Sequence, residues 1–206
     1  MKALILCDIQ NDFVPGGALA VKEGDKIAAK ANLLMSQFDV VVATQDWHHA
    51  KHGSFAANHE GKNVGEFIDL NGLNQILWPT HCVEGSEGAE FVKDLATDKI
   101  DKVFQKGTDA QIDSYSGFFD NGHKKGTGLK EYLEEKNISD VYVLGLATDY
   151  CVKFTALDAN KLGFNTFLVK DASRGVDIQA GDVDKAIKEM EDKGIQIVDS
   201  DEVRKG

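Results

Sequence analysis

Three residues far apart in the chain could together make a hydrolytic centre. Asp8 stands in DIQNDF, Lys106 in VFQKGTD and Cys151 in GLATDYCVKFTA. Asp8 directly follows a short apolar run, so its carboxylate is partly desolvated and shifted toward a useful base. The same place would equally suit an Asp that caps a turn. Cys151 lies in a strand–turn–helix context, where unpaired N–H groups and the positive end of a helix favour thiolate. Those N–H groups could also receive the oxyanion of a tetrahedral intermediate. An inert buried thiol is the alternative, and it is the expected state of Cys7 inside its strand. A Lys at a strand end is ordinarily a solvated charge. Beside Asp8 and Cys151, Lys106 would instead hold Asp8 ionised and favour thiolate.

A second group could bind a cation. Asp46 and His48 are two residues apart in DWH, so in extended chain both point the same way. His81 in WPTHC could complete a three-ligand set, with His49, His52 and His59 nearby. Mixed His and carboxylate sites suit Zn²⁺, Fe²⁺ or Mn²⁺. Polar loop residues facing water are the plain alternative. Phe13, Trp78 and Tyr115 lie close to these motifs and could stack an aromatic ligand or be ordinary core.

The elements that must position these residues are legible as apolar runs. Ala3–Cys7, Val40–Thr44, Val103–Phe104, Val141–Leu146, Thr166–Val169 and Ile195–Val198 read as strands buried on both faces. Helical spacing links Ile27, Ala31 and Leu34, then Phe91 and Leu95, then Leu129 and Leu133. Two more helices run from Val152 to Leu162 before Gly163 and from Val183 to Met190 before Gly194. The alternation predicts an α/β fold: a doubly wound, mostly parallel six-stranded sheet with helices on both faces. Ligands in such sheets bind beyond the carboxyl ends of the strands. Asp8, Asp46, Lys106 and the Thr148–Cys151 stretch all follow strands. The stretch from Trp47 to Glu87 has little periodicity yet carries both tryptophans and most of the histidines, which points to a functional insertion.

The chain has 206 residues, which favours a single domain at roughly 150 residues per domain. Its 34 acidic against 23 basic residues give a net charge of −11, which disfavours a nucleic-acid partner. Three cysteines cannot form a fully paired disulfide set, so reduced thiols are expected. The apolar start stops at Asp8, too short for a secretory h-region, and no run approaches the ~18 apolar residues of a membrane span. The expectation is a cytoplasmic protein with no membrane partner.

Taken together, DIQNDFVPGGAL, TQDWHHAKHGSF, WPTHCVEGSEG, FQKGTD, YSGF and GLATDYCVKFTALDA resemble, in content and order, the nicotinamidases of the isochorismatase-like cysteine hydrolase superfamily. The resemblance covers most of the chain. It implies one isochorismatase-like hydrolase domain over residues 1–206, with a metal-binding loop insertion around 46–87. By that resemblance Asp8, Lys106 and Cys151 form the catalytic triad, and the N–H groups of Ala147 and Cys151 the oxyanion hole. Asp46, His48 and His81 become ligands of one divalent metal ion, zinc foremost with iron or manganese compatible. Ser54 contributes through a bound water, and Phe13, Trp78 and Tyr115 contact the pyridine ring. The peptide between Leu146 and Ala147 is expected to be cis. The implied activity is hydrolysis of nicotinamide to nicotinate and ammonia through a thioester, with pyrazinamide as a second substrate and NAD salvage as the setting. A homo-oligomer is compatible with the family. Relatives acting on a carbamoyl or ureido substrate are the nearest alternative, but they generally lack the Asp46, His48 and His81 set. A non-catalytic scaffold would be expected to have a broken triad, and a flavodoxin-like redox carrier leaves the cysteine and metal motifs unexplained.

Overall fold

In the computed structural model, which describes residues 1–205, a central sheet runs in the order β5-β2-β1-β6-β7-β8. Its strands are β1 (Lys2–Cys7), β2 (Val40–Asp46), β5 (Lys102–Lys106), β6 (Asp140–Leu146), β7 (Asn165–Arg174) and β8 (Gln196–Val198). Every pairing in it is parallel. This is the six-stranded sheet expected from the apolar runs.

Alternate side chains of the strands enter opposite layers, as the two-residue period requires. Leu4, Leu6, Val41, Ala43 and Leu144 pack with α1 (Ile27–Met35) and with Val203 of α5 (Ser200–Lys205). Ala3, Ile5, Val42, Val141 and Val143 face α2 (Leu129–Glu135), α3 (Lys153–Lys161) and α4 (Asp182–Asp192). Both faces are therefore dry, which explains why the strands read as continuous apolar runs rather than alternating ones. No helix among the described residues is long and apolar enough to cross a membrane.

Two expectations need correction. Phe91 and Leu95 do not share a helix. The Val92 N–H donates to Ile9 O, and the Asn11 N–H donates to Glu90 O, so this stretch pairs with the chain leaving β1. The insertion also holds regular structure: β3 (Phe67–Leu70) and β4 (Leu73–Ile76) form an antiparallel hairpin. Asn71 and Gly72 turn it with φ of 54° and 88°. An Asn-Gly pair accepts that left-handed geometry readily, so the signal was in the sequence.

Strand order reverses at β1, whose neighbours β2 and β6 lead to opposite ends of the sheet. The crevice beyond β1 and β6 is where a ligand is expected in such a sheet. Gly145 allows the two strand ends to close. Its φ is 128°, and an added Cβ would lie 2.1 Å from Cys7 O. Gly163 also has positive φ, at 97°, but open space around the missing Cβ. Gly163→Ala should therefore cost about 1–2 kcal/mol, for backbone strain alone. Gly145→Ala should cost about 4 kcal/mol or more, lowering the thermal midpoint by roughly 8–16 °C. Equal melting temperatures for the two variants would contradict the close approach at Gly145.

Candidate active site

Four strand ends deliver the polar groups. Asp8 follows β1 with φ of 47°, which turns its carboxylate away from the strand direction. Thr44 Oγ1 donates to Asp8 Oδ1 at 2.6 Å. Asp46 and Lys106 are register partners at the ends of β2 and β5. After β6 comes a cis peptide between Leu146 and Ala147. The chain then makes a wide π-type turn over Thr148–Val152, which holds Cys151 and leads into α3.

Lys106 joins these groups. Its Nζ donates to Asp46 Oδ1 at 2.5 Å and to Ser114 O at 2.9 Å, and it lies 3.0 Å from Asp8 Oδ2 and 3.4 Å from Cys151 Sγ. Its side chain is wholly buried. Burial disfavours the ammonium, but Asp46 and Asp8 more than compensate and push its pKa well above the ordinary lysine value. Burial also raises the Asp8 pKa, and Lys106 partly opposes that shift. Asp8 Oδ2 has no partner beyond the Lys106 ammonium, and the carboxylate lies within 4.8 Å of the Cys151 sulfur.

The groups around Cys151 act on its thiol in opposite directions. Burial pushes the thiol well above its usual range; Lys106 acts the other way, while Asp8 and Asp46 add to the rise. The resting group is therefore a thiol poised beside a base. Cys7 is an inert buried thiol, raised to about 12 chiefly by desolvation.

Asp46, His48 and His81 meet, with donor atoms all within 4.8 Å of one another. Asp46 Oδ2 lies 3.5 Å from His48 Nε2 and 3.9 Å from His81 Nε2. The outer ring nitrogens are committed elsewhere. His48 Nδ1 is 2.9 Å from Gly107 O and His81 Nδ1 is 2.7 Å from Pro79 O, so each Nδ1–H donates to a carbonyl. With that tautomer two Nε2 atoms and a carboxylate oxygen face one point, a donor set that suits a divalent cation. Burial lowers the His81 pKa to about 4, so His81 is a neutral donor. Although burial works the other way, the Lys106 ammonium holds the Asp46 carboxyl far below the usual range.

Ser54 stands one step back from this cluster. Its hydroxyl donates to His52 Nδ1 at 2.7 Å, and the His52 ring packs 4.4 Å from that of His48. His49 is exposed, and His59 binds Gly53 O rather than the cluster.

Phe13, Trp78 and Tyr115 line one small pocket with Ala147 and Cys151 at its base. The Tyr115 hydroxyl accepts from Trp78 Nε1 at 3.2 Å and Gln75 Nε2 at 3.0 Å, which fixes two of the aromatic walls. Leu19, Asp113, Tyr150 and Val176 also line the pocket, and sequence reasoning missed them. Gln10 and Asp12 were missed too, although both lie inside DIQNDF. Gln10 Oε1 accepts from the Asp46 N–H at 2.8 Å, and Gln10 Nε2 donates to Asp46 O at 2.9 Å. Asp12 Oδ2 accepts from the Cys82 N–H at 2.7 Å and so anchors the residue after His81.

The isochorismatase domain model matches residues 2–202. The chain belongs to the isochorismatase family. Within that family it is 48% identical to the nicotinamidase of Escherichia coli (strain K12), covering 94% of this chain and 92% of the relative. A solved nicotinamidase–pyrazinamidase structure from Acinetobacter baumanii superposes with a TM-score of 0.95 at 46% identity, covering 98% of this chain and 97% of the other. A pyrazinamidase from Pyrococcus horikoshii, solved in complex with zinc, gives a TM-score of 0.78 at 40% identity over 96% of this chain and 98% of the other. A divalent metal at the cluster accords with that relative and with the donor set. Gln10→Ala removes both clamps on the Asp46 backbone. It should weaken divalent-metal binding by about 10–100-fold, as loss of a ligand's supporting partner does. A metal-buffered titration of the folded variant checks this, and unchanged affinity would contradict the role of Gln10.

Proposed function

We propose that this protein is a nicotinamidase, a metal-dependent cysteine amidohydrolase that converts nicotinamide and water to nicotinate and ammonia. The observation that carries the reading is the meeting of Asp8, Lys106 and Cys151 beneath an aromatic-walled pocket that also borders Asp46 and His81. Residues 1–206 act as one catalytic unit, and the 46–87 insertion supplies the metal ligands and Trp78. Pyrazinamide, which also presents a ring nitrogen and a carboxamide, is expected to be a substrate.

Phe13, Trp78 and Tyr115 sandwich the ring and lay the carboxamide carbon over Cys151. Asp8 takes the thiol proton as Sγ forms a bond to that carbon. The Ala147 and Cys151 N–H groups hold the oxyanion. As the C–N bond breaks, Asp8 passes the proton to the departing nitrogen, and ammonia leaves a thioester. Asp8 then removes a proton from water, whose oxygen attacks the same carbon. The C–S bond breaks, nicotinate leaves, and the proton returns to sulfur. Throughout, Lys106 keeps Asp8 anionic enough to act as base. Asp46, His48 and His81 would hold the divalent cation, zinc by preference for this donor set, which supplies an anchoring point for the ring nitrogen and orders water.

The carbamoyl and ureido alternative does not account for the three-residue cation cluster. Cys151→Ala should reduce ammonia release from nicotinamide by about 10³-fold or more while metal stays bound. Turnover near wild type would sink the covalent scheme. Chelation should inactivate the wild type, and added Zn²⁺ should restore it; full activity in a metal-free sample would remove the metal from the account.

A further inference from the structure

Asp149, two residues before the nucleophile, has no part in the chemistry above. It is only 5% exposed, and both carboxylate oxygens are spent on backbone. Oδ1 accepts from the Val176 N–H at 2.9 Å, and Oδ2 accepts from the Asp177 N–H at 2.8 Å. Those two amides lie in the crossover from β7 to α4, whose Val176 side chain forms part of the ring pocket. Hydrogen bonds to an ionised acceptor are the stronger kind, and a pair on consecutive amides fixes both position and orientation.

The neighbouring residues show how closely the crossover is seated. A Cβ on Gly175 would fall 2.2 Å from Val183 Cγ2 and 2.9 Å from Asp149 Oδ1, so only glycine lets the chain lie there. Asp177 turns with φ of 52°. Its Oδ1 accepts from the Gly181 N–H at 3.1 Å and the Val183 N–H at 3.3 Å, which carries the hold into the start of α4. The pocket wall at Val176 is thus referenced to the same turn that carries the nucleophile.

We propose that Asp149 is a positioning residue that sets the fit of the substrate ring, by clamping Val176 against the pocket that ends at Cys151. The ligand it acts on is a flat heteroaromatic amide, so the inference rests on the nicotinamidase reading. Asn at this position keeps one acceptor oxygen and Ala keeps none, so the effect should be graded. For Asp149→Asn the KM for nicotinamide should rise about tenfold with kcat changed less than about threefold, and Asp149→Ala should raise KM further. Val176→Ala, which leaves the clamp intact, should narrow the preference for nicotinamide over a ring-methylated nicotinamide, and the Asp149 variants should do the same; an unaltered preference in all of them overturns the role of Val176. Amide exchange at Val176 and Asp177 in the full-length protein should speed up about tenfold or more in Asp149→Asn. Unchanged exchange overturns the clamp. An unchanged KM, or a fall in kcat with KM constant, overturns the role in ring fit. Failure of the wild type to release ammonia from nicotinamide would count against the nicotinamidase reading, and the exchange measurement judges the clamp in either case.

Discussion

The site depends on one buried ammonium. Lys106 Nζ lies within 3.0 Å of oxygens from Asp8, Asp46 and Ser114 and 3.4 Å from the Cys151 sulfur. Asp8, Asp46 and Cys151 bring their polar atoms within 4.8 Å of one another. Two carboxylates that close in a dry site cannot both stay ionised without a cation between them. Taking the ammonium away would leave charge uncompensated, a loss of about 3–5 kcal/mol in comparable buried pairs. The same contact divides the labour of the two acids. Asp46 is held ionised toward the histidines, while Asp8, ion-paired with Lys106, faces the thiol.

The fold supplies the geometry with little local invention. Parallel pairing puts Asp46 beside Lys106, and the reversal of strand order at β1 opens the space where Asp8 faces the turn bearing Cys151. Around this, three polar side chains fasten loops through backbone groups. Gln10 grips both sides of the Asp46 backbone, Asp12 grips Cys82, and Asp149 grips Val176 and Asp177. Each is a residue whose chemistry looks spare in the sequence and whose work is to locate a neighbour.

Much of the architecture was legible because continuous apolar runs and their intervening helical periods are dictated by a sheet covered on both sides. The Phe91–Leu95 pair misled because an i, i+4 spacing of two residues is satisfied as well by a turn pairing with the chain after β1. The β3–β4 hairpin lay hidden because its strands are half exposed and its pattern weak, although Asn71–Gly72 marked the turn. Asp8, Asp46, Lys106 and Cys151 do meet, since strand ends in this topology share one edge. What could not be read was how deeply Cys151 is buried among Lys106 and the two carboxylates, which no spacing reveals. Nor could Val176 be found, because an aliphatic residue after a strand carries no signal of its own.

The most direct test is rapid-quench mass spectrometry of the Cys151 peptide during turnover of nicotinamide, in the wild type and in Lys106→Met. The account predicts a nicotinoyl adduct on Cys151 in the wild type and none on the same timescale in the folded variant, because the base beside the thiol loses its charge support. An adduct that accumulates as quickly without the ammonium, or wild-type turnover with no acylated cysteine, would contradict it.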